Sequence, residues 1–147
     1  MIDFKVALRT TLLLVDDDTE QLYSCALSLR MCGFSVVTAS GPIEAISIMK
    51  HCSFPGIDVA VIDYDMPVVN GWVLAAYFKS GYPDVKIVLC SGILDAAEDE
   101  MSCVDAFVEK GQGIALLMAK IVELGKMDSA NPAVYAIEND ARLHAAD

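Results

Sequence analysis

Long apolar runs are missing from this 147-residue sequence. Met1–Thr10 carries Asp3, Lys5 and Arg9 and has no continuous apolar stretch, so it does not read as a signal peptide. The aliphatic run that follows, Leu12–Val15, falls far short of the ~18 residues needed to cross a bilayer. A soluble, cytoplasmic protein without membrane contact is expected. Basic residues are scarce too: ten Lys and Arg stand against 21 Asp and Glu, for a net charge of −11. Duplex DNA would repel such a surface, which argues against direct nucleic-acid binding. The five cysteines, Cys25, Cys32, Cys52, Cys90 and Cys103, are odd in number and show no C-x-x-C spacing. Neither a zinc site nor a disulfide framework is supported, and reduced, mostly buried thiols are expected. His51 and His144 have no surrounding pattern for relay chemistry and read as surface or tail residues. With 55% hydrophobic and 21% charged residues, the composition is that of a folded domain.

What is present is an alternation of short apolar runs and amphipathic stretches. Thr11–Asp16 reads as a buried strand. Asp18–Met31 reads as a helix with Leu22, Cys25, Ala26 and Leu29 on one face, capped by Asp18 and ended by Gly33. Ser35–Thr38 is a second strand, and Gly41-Pro42 opens a helix carrying Ile46 and Met49. Ile57–Asp63 is a third strand, apolar enough for burial on both faces. Gly71–Ser80 is a helix stopped near Gly81 and Pro83, and Val85–Cys90 is a fourth strand. Leu94–Cys103 is a weaker, acidic helix, and Ala106–Val108 a brief fifth strand. Ile114, Leu117, Met118 and Ile121 mark a final helix ending near Gly125. Five βα units imply an α/β fold with a parallel sheet and helices on both faces. Residues 1–10 read as an N-terminal extension, 11–125 as one domain, and 126–147 as a tail. Within the tail, Asn131-Pro132 offers a start for a short helix with Val134, Ile137 and Ala141 on one face; a frayed end is the other reading.

Ligands of open parallel sheets bind beyond the carboxyl ends of the strands. The polar residues expected there are Asp16-Asp17-Asp18, Asp63, Ser91 and Lys110. Asp16, Asp17 and Asp63 in one pocket would raise one another's pKa unless a cation intervened. A hard divalent ion such as Mg²⁺ suits an all-oxygen set, and Lys110 offers a second positive charge. A phosphoryl group on Asp63 would then add only modest negative charge. Positioning and neutralisation are what phosphoryl transfer chiefly requires. Taken singly, Ser91 reads as a turn residue and Lys110 as a surface charge. Asp63 is harder to dismiss, because it closes a strand that otherwise looks fully buried.

The pieces L-L-L-V-D-D, V-I-D-Y-D-M-P-V-V-N-G, I-V-L-C-S-G and A-F-V-E-K run in order across residues 11–125. Together they resemble the receiver domains of response regulators in two-component signalling. The resemblance implies a flavodoxin-like, doubly wound (βα)5 sheet in order 2-1-3-4-5. It implies Asp63 as phospho-acceptor, with Mg²⁺ (or Mn²⁺) held by Asp17, Asp63 and the backbone carbonyl of Asp65. Asp16 would act through a water on the metal. Ser91 would hydrogen-bond the phosphoryl group, Lys110 would pair with Asp63 and then with a phosphoryl oxygen, and Phe107 would be the aromatic switch. A sensor histidine kinase or phosphotransfer protein is the implied donor. A downstream protein would meet the face formed by the helix at 94–103, the fifth strand and the final helix, and a homodimer is compatible. No enzymatic activity is implied beyond self-phosphorylation from phosphodonors and autodephosphorylation.

Gly111 stands where receivers usually have proline. A cis bond there would cost about 3 kcal/mol, so a trans bond is expected, with the glycine at an unusual backbone angle. The segment between Ser91 and Lys110 is short, so its helix is expected to be reduced. Two other readings exist. Asp63-Tyr64-Asp65 also resembles the D-x-D of haloacid-dehalogenase-type phosphatases. That motif should end a first strand and precede a later acidic motif, yet Glu123 is the only acid between Lys110 and the tail. A receiver-like module that binds without phosphorylation would be expected to lose the acceptor, the acidic pair or the lysine, and all are present.

Overall fold

The computed structural model describes residues 4–51, 56–92 and 104–128. The expected helix at Leu94–Cys103, the expected tail helix from Asn131, and Cys52 and His144 lie outside them. In chain order the elements are α1 (Phe4–Ala7), β1 (Thr11–Val15), α2 (Thr19–Met31), β2 (Ser35–Ala39), α3 (Pro42–His51), β3 (Val59–Asp63), α4 (Gly71–Gly81), β4 (Lys86–Ser91), β5 (Ala106–Glu109) and α5 (Ile114–Asp128). The five strands form one sheet in the order β2-β1-β3-β4-β5, with every pairing parallel. This is the flavodoxin-like order that the resemblance implies.

Strand periodicity sorts the core into two layers. Leu12, Leu14, Val59, Val61, Val88 and Val108 face α1, α2 and α5, where Leu22, Ala26, Leu29, Leu117 and Ile121 meet them. Leu13, Val15, Ala60, Ile62, Ile87 and Leu89 face α3 and α4, against Ala45, Met49, Leu74 and Phe78. All five residues of β3 are buried, as a central strand covered on both sides requires.

Helix ends follow local chemistry. Asp18 caps α2, its carboxylate accepting the Glu20 and Gln21 amides. Gly33 closes that helix at φ +102°, and the Phe34 amide returns to the Leu29 carbonyl at 3.2 Å. Gly125, by contrast, does not end the last helix, which continues to Asp128. A side chain there would lie 2.7 Å from Val6 Cγ1 and 3.3 Å from Thr10 Oγ1, so this glycine admits the N-terminal segment against α5. Val6 and Ala7 are buried as a result. The third strand starts at Val59 rather than Ile57, because Asp58 turns its carboxylate onto the Thr11 amide at 2.8 Å. Cys25, Cys32 and Cys90 are free thiols, only partly buried rather than sealed in the core.

Val68 is the one non-glycine residue with positive φ (72°) among the described residues, and its side chain is fully exposed. A β-branched residue is strained in this region, and no packing compensates it. Val68→Gly is expected to raise stability by about 1 kcal/mol, read as a higher urea midpoint; a lower midpoint would contradict the strain.

Candidate functional site

The alternation that builds the core also aims the polar strand ends. Asp16 follows Leu12 and Leu14, Asp63 follows Val59 and Val61, and Lys110 follows Ala106 and Val108. All three therefore emerge on the α2/α5 side of the sheet. They line a cavity of about 670 Å³ with Leu14, Val61 and Cys90. Asp63 is only 4% exposed. Its Oδ1 accepts from Lys110 Nζ at 2.8 Å and from the Asp65 amide at 3.2 Å. Lys110 Nζ also lies 3.6 Å from Asp16 Oδ2 and 3.5 Å from Gln21 Oε1. Asp16 Oδ1 accepts the Asp18 amide at 2.9 Å, which holds the acidic turn over the strand end. Carboxylate oxygens of Asp16, Asp17 and Asp63 lie within 4.8 Å of one another.

Burial pushes the Asp63 carboxyl up to about 6, and the Asp16 charge adds to the rise while Lys110 and the Asp65 amide oppose it. Burial pulls Lys110 down, but the hydrogen bond and charge of Asp63, helped by Asp16, outweigh it and leave the ammonium above its ordinary value. Burial raises the neighbouring Cys90 thiol to about 12, so it stays protonated and is no nucleophile. The donor set of the acidic group is all hard oxygen, with Asp17 exposed on its open side. Such a set fits a divalent cation of the Mg²⁺ class and not a soft metal.

Ser91 is 2% exposed at the end of β4, where its carbonyl accepts the Lys110 amide at 2.7 Å. Phe107 is half-buried, packed with the α3/α4 layer, its ring 6.5 Å from that of Tyr64 at a 58° tilt. The structure thus gathers Asp16, Asp17, Asp63 and Lys110 into one cluster. It sets Phe107 on the opposite face of the sheet. Asp65 is exposed at the rim.

Three contributors escaped the sequence reading. Gln21, two residues into α2, reaches Lys110 across the cavity. Tyr64 meets Phe107 only through the fold. Gly71 packs its backbone against Asp63: a Cβ there would overlap the Asp63 carbonyl oxygen and lie 2.8 Å from Tyr64 Cα. The Asn70-Gly71 pair was legible as a motif, but not the close approach that requires it. Gly111 does adopt the unusual angle expected of it, with φ +91°.

Comparison with known proteins agrees with this geometry. The family described as response regulator receiver domain matches residues 12–122. The transcriptional regulatory protein PrrA of Mycobacterium leprae is 28% identical over 116 residues, 76% of this chain and 48% of PrrA. The sensor kinase CckA of Brucella abortus is 30% identical over 87 residues, 59% of this chain and 9% of the kinase. The chain thus spans about half or less of these curated relatives. A receiver domain from Clostridium thermocellum superposes with a TM-score of 0.75 at 24% identity, covering 82% of this chain and 97% of that one. TrrA from Thermotoga maritima, solved in complex with Mg²⁺-BeF, superposes at 0.72 with 23% identity, covering 78% and 98%. Fold, site and family match converge on one assignment: the chain belongs to the response regulator receiver domain family of two-component signalling.

Proposed function

We propose that this receiver accepts a phosphoryl group on Asp63 in a reaction that depends on Mg²⁺ or Mn²⁺, and that the modification switches a protein-binding surface. The observation that carries the reading is a nearly buried carboxylate held 2.8 Å from an ammonium, with two more carboxylates beside it. An Asp63 oxygen attacks phosphorus while the P–N bond of a donor phosphohistidine breaks and the departing imidazole takes up a proton. The donor is a sensor histidine kinase or a phosphotransfer protein. Asp17, Asp63 and the Asp65 carbonyl would hold the metal, with Asp16 in its outer sphere; when bound, it supplies charge neutralisation at the phosphoryl oxygens. Lys110 holds Asp63 in place beforehand and then turns its ammonium to a phosphoryl oxygen. Ser91 donates its hydroxyl to the same group. Phe107 then turns into the space Ser91 vacates, repacking against Tyr64 and changing the surface around β5 and α5.

Treatment with a small phosphodonor and Mg²⁺, followed by intact mass, is expected to show one added, hydroxylamine-labile phosphate. Asp63→Asn should show none, and Lys110→Ala far less. Labelling that persists in Asp63→Asn would move the acceptor elsewhere. For the switch, Ser91→Ala should still be labelled but should no longer gain partner binding on phosphorylation. Full retention of that gain would reject the coupling.

A pH dependence follows from Asp63. Its folded pKa of about 6 exceeds the ordinary 3.8, so the unfolded chain releases this proton first. Metal-free stability should therefore fall as pH rises from about 4 through about 6, by an amount on the order of 3 kcal/mol from this group. Urea midpoints measured across that range should slope less in Asp63→Asn than in the wild type. Parallel slopes would show that Asp63 is not destabilised by its site.

A further inference from the structure

Lys110 carries its charge on a flexible four-carbon stem, so the ammonium sits only where its contacts hold it. The backbone fixes only the root of that stem, through the 2.7 Å bond from the Lys110 amide to the Ser91 carbonyl. Beyond it the chain turns through Gly111 and Gly113, both at positive φ (+91° and +89°), and a Cβ on either would meet nothing within 4 Å. Proline cannot take such an angle, and two glycines with no packing around them stiffen the turn little.

Three oxygens from three segments meet the ammonium. Asp63 Oδ1, at the end of β3, lies 2.8 Å away, Asp16 Oδ2, just after β1, 3.6 Å, and Gln21 Oε1, on α2, 3.5 Å. An ammonium has three N–H donors, so the set matches it one for one. Gln21 differs from the other two in two respects. It is neutral, so it adds no further negative charge beside Asp16, Asp17 and Asp63. It also stands outside that acidic group, so a cation drawing on the carboxylates leaves its contact with Lys110 in place. Its own position is set by the helix cap: the Gln21 amide donates to Asp18 Oδ1 at 3.3 Å, and the Asp18 amide donates to Asp16 Oδ1 at 2.9 Å. One capping residue thus presents Asp16 and Gln21 together to Lys110.

We propose that Gln21 is a positioning residue for phosphoryl transfer, its side-chain carbonyl holding the Lys110 ammonium over Asp63, above all when a divalent cation occupies the carboxylates. It acts through Lys110 and not on the reacting atoms. Its role in transfer rests on the reading of Asp63 as acceptor; its contact with Lys110 does not.

Nitrogen-15 NMR of the Lys110 ammonium in the full chain, at neutral pH and low temperature, tests the contact without any phosphate. Gln21→Leu, which removes the oxygen, should speed exchange of the ammonium protons with water about three-fold, the scale of one partly exposed hydrogen bond, and by more with Mg²⁺ than without. Gln21→Glu keeps an acceptor at the same reach and should restore slow exchange. Gln21→Asn, one methylene shorter, should not. Wild-type far-UV spectra and urea midpoints would show that these exposed substitutions leave the fold intact. With a small phosphodonor and Mg²⁺, Gln21→Leu should be labelled about three-fold more slowly than the wild type. Wild-type exchange in Gln21→Leu, or full protection in Gln21→Asn, would overturn the contact. Wild-type labelling of a Gln21→Leu chain whose ammonium exchanges faster would overturn its role in transfer. A wild-type chain that takes no label would sink the acceptor reading and that role with it, while the ammonium measurement still decides the contact.

Discussion

A buried carboxylate beside a second carboxylate is unstable unless positive charge is brought to it, and this constraint organises the receiver. Asp63 closes a strand buried on both faces, so it loses solvent, and Asp16 and Asp17 crowd it from the neighbouring strand. Lys110 answers part of that charge directly, at 2.8 Å. The rest leaves an oxygen-rich opening that a hard divalent cation fits. Asp63 is thereby held in a state that favours the approach of a cation.

The supports around this point are backbone devices. The Asp18 amide ties Asp16 over the end of β1, and the Asp18 side chain starts α2. The Lys110 amide bonds to the Ser91 carbonyl, which links the ends of β4 and β5. Gly71 lets α4 begin directly against Asp63. These ties leave the acidic turn, Asp63 and Lys110 little freedom to drift apart. Phe107 and Tyr64 pack against each other on the other face of the sheet.

Much of this was legible in the chain because two-residue alternation carries information past the end of a strand. Leu12, Leu14 and Asp16 share a face, as do Val59, Val61 and Asp63, so apolar runs that specify the sheet also specify which acids converge. Asp18 and Gly33 announced the ends of α2 through local chemistry alone. What escaped depended on distant packing. A four-residue helix such as α1 has no periodicity to read, and Gly125 looked like a stop because Val6 and Thr10 are far away in sequence. Gln21 and Tyr64 acquire their partners only when α2 and β5 are placed. The positive φ of Val68 runs against the preference of its own side chain, so no local rule anticipates it.

The central claim is that Asp63 shares one cation site with Asp16 and Asp17. Carboxyl-detected NMR titration of Asp63 with and without Mg²⁺ measures this most directly. The account predicts a carboxyl titrating near 6 without metal, moving well down with saturating Mg²⁺, and no such movement in Asp17→Asn. An Asp63 that titrates like a solvent-exposed aspartate and ignores Mg²⁺ would contradict it.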